Sequence, residues 1–336
     1  MERPGASPLH RLVGILRGPN PIRDTHAMTR PLPTESSAPA APGRRSLLRM
    51  AAIAPALALP ALSHAQASTG AFVPQVGQQG KDVIWVPTPD ALVNRMLKMA
   101  RVGPDDYVVD LGSGDGKIVI AATRDFKARA MGVEFNPDMV ELSRRNAQEA
   151  GVASRASFTQ GDIFKVDFTD ATVVTMYLLP GLNLKLRPQL LQMRPGTRLV
   201  THQFTMGSWE PDDSSTVDGR PGYLWIVPAA VGGGVWQMTT TDARGSSEAQ
   251  LAFTQVFQQV TGTARMPAIE GRLRSVRLNG DRIAFEMMDA SGMLRSYDGR
   301  VSGDRIEGAT RSADGATGTF NATRTGTAAP VDAGRD

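Results

Sequence analysis

Strand and helix patterns alternate through residues 88–203 of the 336-residue chain. Short strand-like runs with few charges occur at 107–111, 129–134, 156–160, 171–177 and 197–203. Apolar residues with helical spacing occupy 88–104, 117–126 and 136–151. In the last of these, Asn136 is a helix cap, Pro137 suits the first helical position and Gly151 ends the helix. Strands alternating with helices predict a parallel α/β sheet covered on both faces.

Beyond residue 230 the helices disappear and short polar–apolar alternation takes over. Turn signals separate these strands at Asn279-Gly280, Ser291-Gly292, Gly303-Asp304 and Asp314-Gly315. The pattern predicts a small antiparallel β domain over 235–325, either a meander or a small barrel, followed by a disordered tail at 326–336. This domain either recognises a substrate or extends the core of the α/β domain, and both interpretations stay open.

The basic character of the chain is concentrated in its first 67 residues. Of the 37 basic and 33 acidic residues, 8 arginines and 3 acids lie there, which leaves 29 basic and 30 acidic residues in the rest. The net charge of +4 therefore does not indicate a nucleic-acid partner. The chain has no cysteine, and three of its four histidines also lie in this leader. Disulfides, cysteine nucleophiles and histidine-rich metal sites are excluded, so no metal is expected.

The leader ends in a segment with the order of features found in export signals. Arg44-Arg45 precede an apolar stretch from Met50 to Leu62, and Ala65-Gln66-Ala67 has the small-x-small form of a cleavage site. It resembles a bacterial twin-arginine signal, which implies cleavage after Ala67 and a periplasmic protein. An uncut leader, with a cytoplasmic or membrane-tethered protein, is the alternative. The apolar stretch is too short to span a bilayer comfortably, so no membrane span is expected after cleavage.

Three glycines on alternate positions follow the strand at 107–111, in the sequence VVDLGSGDGKIVI of residues 108–120. A dinucleotide fold would place its glycines as G-x-G-x-x-G, but here the third glycine, Gly116, comes one position early. Asp115 lies inside the turn and would repel a pyrophosphate. The turn therefore favours a ligand without phosphate groups at this place.

This segment resembles motif I, D-x-G-x-G-x-G, of the class I S-adenosyl-L-methionine (SAM) methyltransferases. The resemblance implies a Rossmann-like domain over 83–230, preceded by a linker at 68–82, with SAM as cofactor. It implies that Asp110 orients the loop, that Glu134 accepts hydrogen bonds from the ribose hydroxyls, and that Asp162 and Ile163 contact the adenine. The methionine part of SAM would lie against the turn residues Gly112, Ser113, Gly114 and Gly116.

Residues 83–97, 175–188 and 196–212 together resemble a bacterial and mitochondrial group of protein-lysine methyltransferases with Y-L-L-P after the fourth strand. The resemblance implies an amine acceptor, either a protein lysine or a small molecule. In this interpretation Thr88 holds the SAM carboxylate and Tyr177 shapes the methyl pocket. Asn183 accepts a hydrogen bond from the amine, and His202 is a candidate proton acceptor. Trp85 stands where this group often has tyrosine.

A second function class is compatible with the same motifs. SAM is made in the cytoplasm, whereas the leader directs the protein outward. An exported protein that binds SAM, its product or another adenosyl ligand without turnover would also retain the glycine turn. Affinity without methyl transfer to any acceptor would distinguish this protein from an enzyme.

Overall fold

The computed structural model describes residues 72–267 and 269–332, all within one compact unit. The predicted export signal and cleavage site lie outside these residues, as do the last four residues of the predicted tail. No helix within the described ranges is long and apolar enough to cross a membrane.

The first sheet contains seven strands, in the order β3-β2-β1-β4-β5-β7-β6. Strands β1 to β5 are parallel, whereas β7 runs antiparallel to both β5 and β6. The elements in chain order are α1 (Asp90–Met99), β1 (Tyr107–Leu111), α2 (Lys117–Phe126), β2 (Arg129–Glu134), α3 (Pro137–Glu149), β3 (Ala156–Gln160), β4 (Val173–Met176), α4 (Pro180–Leu190), β5 (Arg198–His202), β6 (Asp213–Val217) and β7 (Arg220–Ile226).

The helices begin and end where local chemistry requires it. The Asn136 side chain accepts a hydrogen bond from Asp138 N at 2.9 Å, so α3 is capped as predicted. Helix α1 is shorter than predicted, because Arg101 takes a left-handed φ of 50° immediately after its C-cap. Strand β4 is also shorter than predicted and ends at Met176, which leaves Tyr177 in the loop beyond it.

Apolar burial on both faces of the first sheet accounts for its parallel arrangement. Every residue of β4 is buried, and four of the five residues of β1 are buried. Helix α1 covers one face with Leu92, Met96 and Leu97, each at most 1% exposed. Burying a side chain of this size stabilises the fold by about 1.5–3 kcal/mol relative to leaving it exposed.

The second sheet contains nine strands, in the order β11-β10-β9-β8-β16-β15-β14-β13-β12, with every pair antiparallel. Its strands are β8 (Val235–Asp242), β9 (Gly245–Val256), β10 (Gln259–Met266), β11 (Ile269–Arg272), β12 (Arg274–Asn279), β13 (Arg282–Met288), β14 (Leu294–Ser302), β15 (Arg305–Ser312) and β16 (Thr317–Thr325). The two end strands, β11 and β12, are separated only by Leu273, so the sheet curls into a ring. The predicted fold class, a Rossmann-like α/β sheet followed by a small antiparallel β domain, is confirmed.

Aromatic side chains fill the interior of the ring. Phe285 stacks on Tyr297 with ring centroids 4.8 Å apart, and Phe320 packs edge-on against both. Trp236 and Phe253 continue this cluster. The alternating pattern that predicted the strands thus places one face of each strand in a packed core.

The ring contacts the first sheet through the β9–β10 turn. Phe257 in this turn is buried and stacks on Trp209 with centroids 5.6 Å apart. Gln258 accepts a hydrogen bond from Trp209 Nε1 at 3.0 Å and donates one to the Glu210 carbonyl at 2.7 Å. The two sheets therefore share part of one hydrophobic core.

Candidate functional site

A cavity of about 760 Å³ opens at the carboxyl ends of β1, β2 and β4. This is where ligands bind in open α/β sheets, because the strand order reverses between β1 and β4. Its walls come from residues 77–88, the glycine turn after β1, the loops after β2, β3 and β4, and Phe204 after β5.

The glycine turn brings its backbone directly to this cavity. Gly112, Gly114 and Gly116 have φ values of 81°, 55° and 82°, which side chains rarely permit. A Cβ at Gly114 would lie 2.6 Å from the Trp85 indole nitrogen. Gly116 does not line the cavity. It packs behind the turn, where a Cβ would lie 2.7 Å from the Phe158 ring.

Glu134 fixes the turn from the end of β2. One of its carboxylate oxygens accepts from Gly114 N at 3.0 Å, and the other accepts from Asn136 N at 2.9 Å. Each carboxylate oxygen retains a further acceptor position, since an ionised carboxylate accepts about four hydrogen bonds. Glu134 lines the cavity and can therefore accept from the hydroxyls of a ribose.

Asp110 places a second carboxylate at the turn. It is 3% exposed and accepts a 2.7 Å hydrogen bond from Thr175 Oγ1. Burial, together with the neighbouring Asp115 and Glu134 carboxylates, raises the pKa of Asp110 to about 7. Burial raises the pKa of Asp115 as well. This concentration of carboxyl groups suits a cationic ligand, and the open glycine backbone leaves room for it, so the residues present fit SAM.

Residues 77–88 form a strap along the cavity, although their first part was predicted to be a linker. Gly77 N and Trp85 N make 2.9 Å backbone hydrogen bonds that fold the strap on itself. Lys81 Nζ lies 2.9 Å from Asp162 Oδ2, and this contact lowers the pKa of Asp162. Asp162 and Ile163 line the same end of the cavity. The turn sequence GQQGKD at 77–82 is the one sequence signal for the strap.

The other end of the cavity lies after β4. Tyr177 lines the wall, and its ring lies 3.8 Å from the His202 ring, centroid to centroid. Thr88 lines the wall too, with its Oγ1 3.1 Å from His202 Nδ1. Apolar residues complete this end; they are Leu178, Leu179, Leu182 and Phe204, none of which was predicted as a site residue.

Nine of the twelve residues predicted for the site line the cavity; Gly116, Asn183 and His202 lie behind its wall. Asn183 is fully buried and donates to the carbonyls of Phe204 and Thr205 at 3.4 and 3.2 Å. Its amide nitrogen is thus directed into the loop after β5, whereas its buried Oδ1 has no hydrogen-bond partner among the described residues. His202 is also buried, and burial together with the charge of Arg220 lowers its pKa to about 4. Across 72–267 and 269–332, no cluster of His, Asp or Glu is arranged to hold a metal ion.

Comparisons with known proteins agree on one enzyme class. A family model described as the ANTKMT methyltransferase domain matches residues 110–213. A protein-lysine N-methyltransferase of Saccharolobus islandicus (strain REY15A) is 44% identical over 151 residues, which cover 43% of this chain and 94% of that protein. The adenine nucleotide translocase lysine N-methyltransferase of Mus musculus is 37% identical over 120 residues. That match covers 35% of this chain and 52% of the mouse protein, so the chain spans about half of the latter.

Among solved structures, the chain is similar to one described as an RNA methyltransferase from Salinibacter ruber in complex with S-adenosyl-L-homocysteine (SAH). The sequences are 51% identical, and the match covers 44% of this chain and 96% of that chain with a TM-score of 0.43.

Proposed function

The chain belongs to the protein-lysine N-methyltransferase family and is a SAM-dependent methyltransferase, and we propose that it methylates the ε-amino group of a lysine in another protein. The observation that carries this proposal is the contrast between the two ends of one cavity. Carboxylates and glycines surround the end at β1 and β2, whereas an apolar wall that includes Tyr177 surrounds the end at β4.

At the first end, the residues that would hold SAM line the cavity and have free hydrogen-bond acceptor positions or open backbone. Glu134 offers acceptors to ribose hydroxyls, and Asp162 offers acceptors to the adenine amino group. Asp110 and the glycine turn offer charge and close approach to the methionine part. SAM supplies a methyl group activated by the adjacent sulfonium charge.

At the second end, the wall favours a neutral amine. Leu178, Leu182 and Phe204 line it, and among the described residues no acidic side chain lines the cavity from 177 onward. Apolar surroundings destabilise an ammonium, so the amine enters as the unprotonated nucleophile. Its lone pair forms the new C–N bond while the methyl–sulfur bond breaks, the bond pair stays on sulfur, and one amine proton is lost to solvent. Alignment and desolvation supply most of the catalysis.

The mouth of the cavity supports a polypeptide acceptor. Ile84, Phe135 and Leu179 line the cavity and are also strongly exposed, at 60%, 48% and 48%. Exposed apolar side chains around the mouth of one cavity offer contacts to a polypeptide that carries the lysine. A small amine inside the cavity would leave the exposed parts of these side chains uncovered.

Residues 1–67 support a periplasmic location as part of the same proposal. Arg44-Arg45 and the Ala65-Gln66-Ala67 site fit a pathway that exports folded proteins. Methylation then takes place before export, where SAM is supplied. Replacing both arginines by lysine should retain the protein in the cytoplasm, as cell fractionation would show.

The experiment that tests the function is methyl transfer to an extract of source cells. Full-length protein and methyl-labelled SAM are incubated with the extract, which is then separated into protein, nucleic acid and small molecules. We expect label in protein, recovered as methyl-lysine after hydrolysis, and lost when extract lysines are acetylated beforehand. Label in nucleic acid or small molecules contradicts the lysine acceptor. SAM binding without label in any fraction favours the non-catalytic binding protein.

A further inference from the structure

His202 lies immediately behind the second end of the cavity and contacts two residues that line it. It is the last residue of β5, it is 2% exposed, and it does not reach the cavity itself. Its Nδ1 is 3.1 Å from Thr88 Oγ1, and its ring face lies against the Tyr177 ring at 3.8 Å. One buried side chain therefore joins the strap to the loop after β4.

Proton transfer does not suit this position. The pKa of His202 is lowered to about 4 by burial and by the charge of Arg220. An amine with an ordinary lysine pKa of about 10.4 is a far stronger base, so a neutral imidazole here would not take its proton. Because of this low pKa, His202 is uncharged at neutral pH. It therefore adds no positive charge that would repel the cationic SAM.

We propose that His202 is a positioning residue with two separable roles, in which Nδ1 orients the Thr88 hydroxyl toward SAM and the ring face orients Tyr177 toward the transferable methyl group. This inference rests on the proposed function, because it assigns both contacts to one cofactor. Thr88 lines the cavity beside the strap and Tyr177 lines it beside the apolar wall, so each contact governs a different part of the ligand.

SAM and SAH separate the two roles without an acceptor. Both ligands carry the amino-acid end that Thr88 is proposed to hold, but only SAM carries the methyl group. Loss of the correct Thr88 orientation should lower the affinities for SAM and SAH equally. Loss of the correct Tyr177 orientation should lower the affinity for SAM, whereas the affinity for SAH should change little.

Two substitutions of His202 each remove one of its two contacts, the hydrogen bond to Thr88 or the ring contact with Tyr177. His202→Phe keeps a ring against Tyr177 but has no nitrogen for Thr88. His202→Asn keeps a hydrogen-bonding atom at the position of Nδ1 but has no ring. For full-length protein titrated calorimetrically, we expect His202→Phe to weaken SAM and SAH together by about three- to tenfold. We expect His202→Asn to leave SAH within about twofold and to reduce the SAM-to-SAH affinity ratio by about threefold or more.

Thr88→Val is the comparison variant: it removes the same hydrogen bond from the other side, and with it the hydroxyl that is proposed to hold SAM. It should weaken SAM and SAH together, at least as much as His202→Phe does, and the double variant should be no worse than Thr88→Val alone. Thermal melting of each variant verifies folding. The same pattern for His202→Phe and His202→Asn overturns the inference, as does lowered thermal stability with unchanged affinities. If the wild-type protein binds neither ligand, the proposed function itself fails.

Discussion

The two sheets of this protein bury similar proportions of apolar residues but arrange their polar groups differently. In the first sheet, β1 and β4 are buried along almost their whole length, and their polar side chains, Asp110 and Thr175, come one residue before the carboxyl end of each strand. In the ring, strands such as β14 alternate buried and exposed residues from end to end. Polar chemistry is gathered at one edge of the first sheet and spread over the outer surface of the second.

Chain direction explains the difference. Parallel strands all end at the same edge, so the loops after β1, β2, β3 and β4 converge there and form one cavity. Antiparallel strands end alternately at opposite edges, and the ring joins most of its strands by tight turns such as those at Gly280 and Gly303. Its interior is occupied by stacked aromatic rings. We therefore expect the first sheet to carry the chemistry; whether the ring supports its core or recognises a substrate is a question for the variants below.

The largest effect is expected where the two sheets meet. Phe257→Ala removes the aromatic ring of the β9–β10 turn from the core that contains Trp209. The loss should cost about 3–5 kcal/mol of unfolding free energy, or a fall on the order of 10 °C in the melting temperature. We expect one calorimetric transition for the wild type and two for the variant, because the sheets no longer stabilise each other.

Phe285→Ala is the matched control for that variant. It removes a similar ring from the interior of the second sheet and leaves the contact with Trp209 in place. We expect a lower melting temperature with one transition retained. If Phe257→Ala shifts the melting temperature by only a degree or two, the ring is an independent domain rather than a support.

A carboxylate deletion in each sheet sharpens the comparison further. Glu134→Ala removes acceptors that the ribose hydroxyls require, and each hydrogen bond to a charged group contributes about 1.5–3 kcal/mol. SAM affinity, measured by calorimetric titration, should fall by about 100-fold or more. Glu286→Ala removes a ring carboxylate that accepts a hydrogen bond from Ser275, away from the cavity, and SAM affinity should stay within about twofold.

Glu134 also fixes Gly114 N, so the alanine variant could act by loosening the turn. Glu134→Gln keeps one side-chain oxygen acceptor, and we expect an intermediate loss of affinity. SAM affinity within about threefold of wild type in Glu134→Ala would show that the cofactor does not lie at this carboxylate.

Local patterns were sufficient to predict both sheets, because strand and helix periodicity is set by neighbouring residues. Asp110, Glu134 and Asp162 were assigned to the site through the resemblance of their segments to the class I methyltransferases, and the structure places all three at one edge of the first sheet. The side chains of Asn183 and His202 were predicted to face the acceptor, yet both lie behind the wall. Their directions depend on packing against residues distant in sequence, such as Thr88 and Phe204, which no local pattern encodes.

The first part of the strap, residues 77–82, and the β9–β10 turn were missed for a related reason. The turn residue Phe257 has a φ of 52°, a conformation unfavourable for a bulky side chain. No glycine or asparagine marks the turn in the sequence, because stacking on Trp209 compensates the strain. The strap at 77–88 is short and half exposed, and it takes its place from contacts with Asp162 and Gly114 rather than from its own periodicity.

The smallest expected effect is a pH dependence confined to the first sheet. Asp110 has its pKa raised to about 7, first by burial and then by Asp115 and Glu134. A cationic ligand favours the ionised carboxyl, so protonation competes with SAM, and SAM affinity should fall as pH falls below 7. The slope can reach about tenfold per pH unit. SAH lacks the sulfonium charge and should show a weaker slope, while His202, with its pKa of about 4, does not titrate in this range.

Asp110→Asn isolates this contribution from the amino group of SAM, which also titrates near neutral pH. The variant should bind SAM more weakly than the wild type at pH 8, and its affinity should vary less between pH 6 and 8. Titration in two buffers of different ionisation enthalpy should show proton release on SAM binding to the wild type near pH 6.5, and less release for the variant. Equal pH slopes in the two proteins would place the titrating group elsewhere. Ionisation of Asp110 would then not govern SAM affinity, although the carboxyl ends of the first sheet could still form the SAM site.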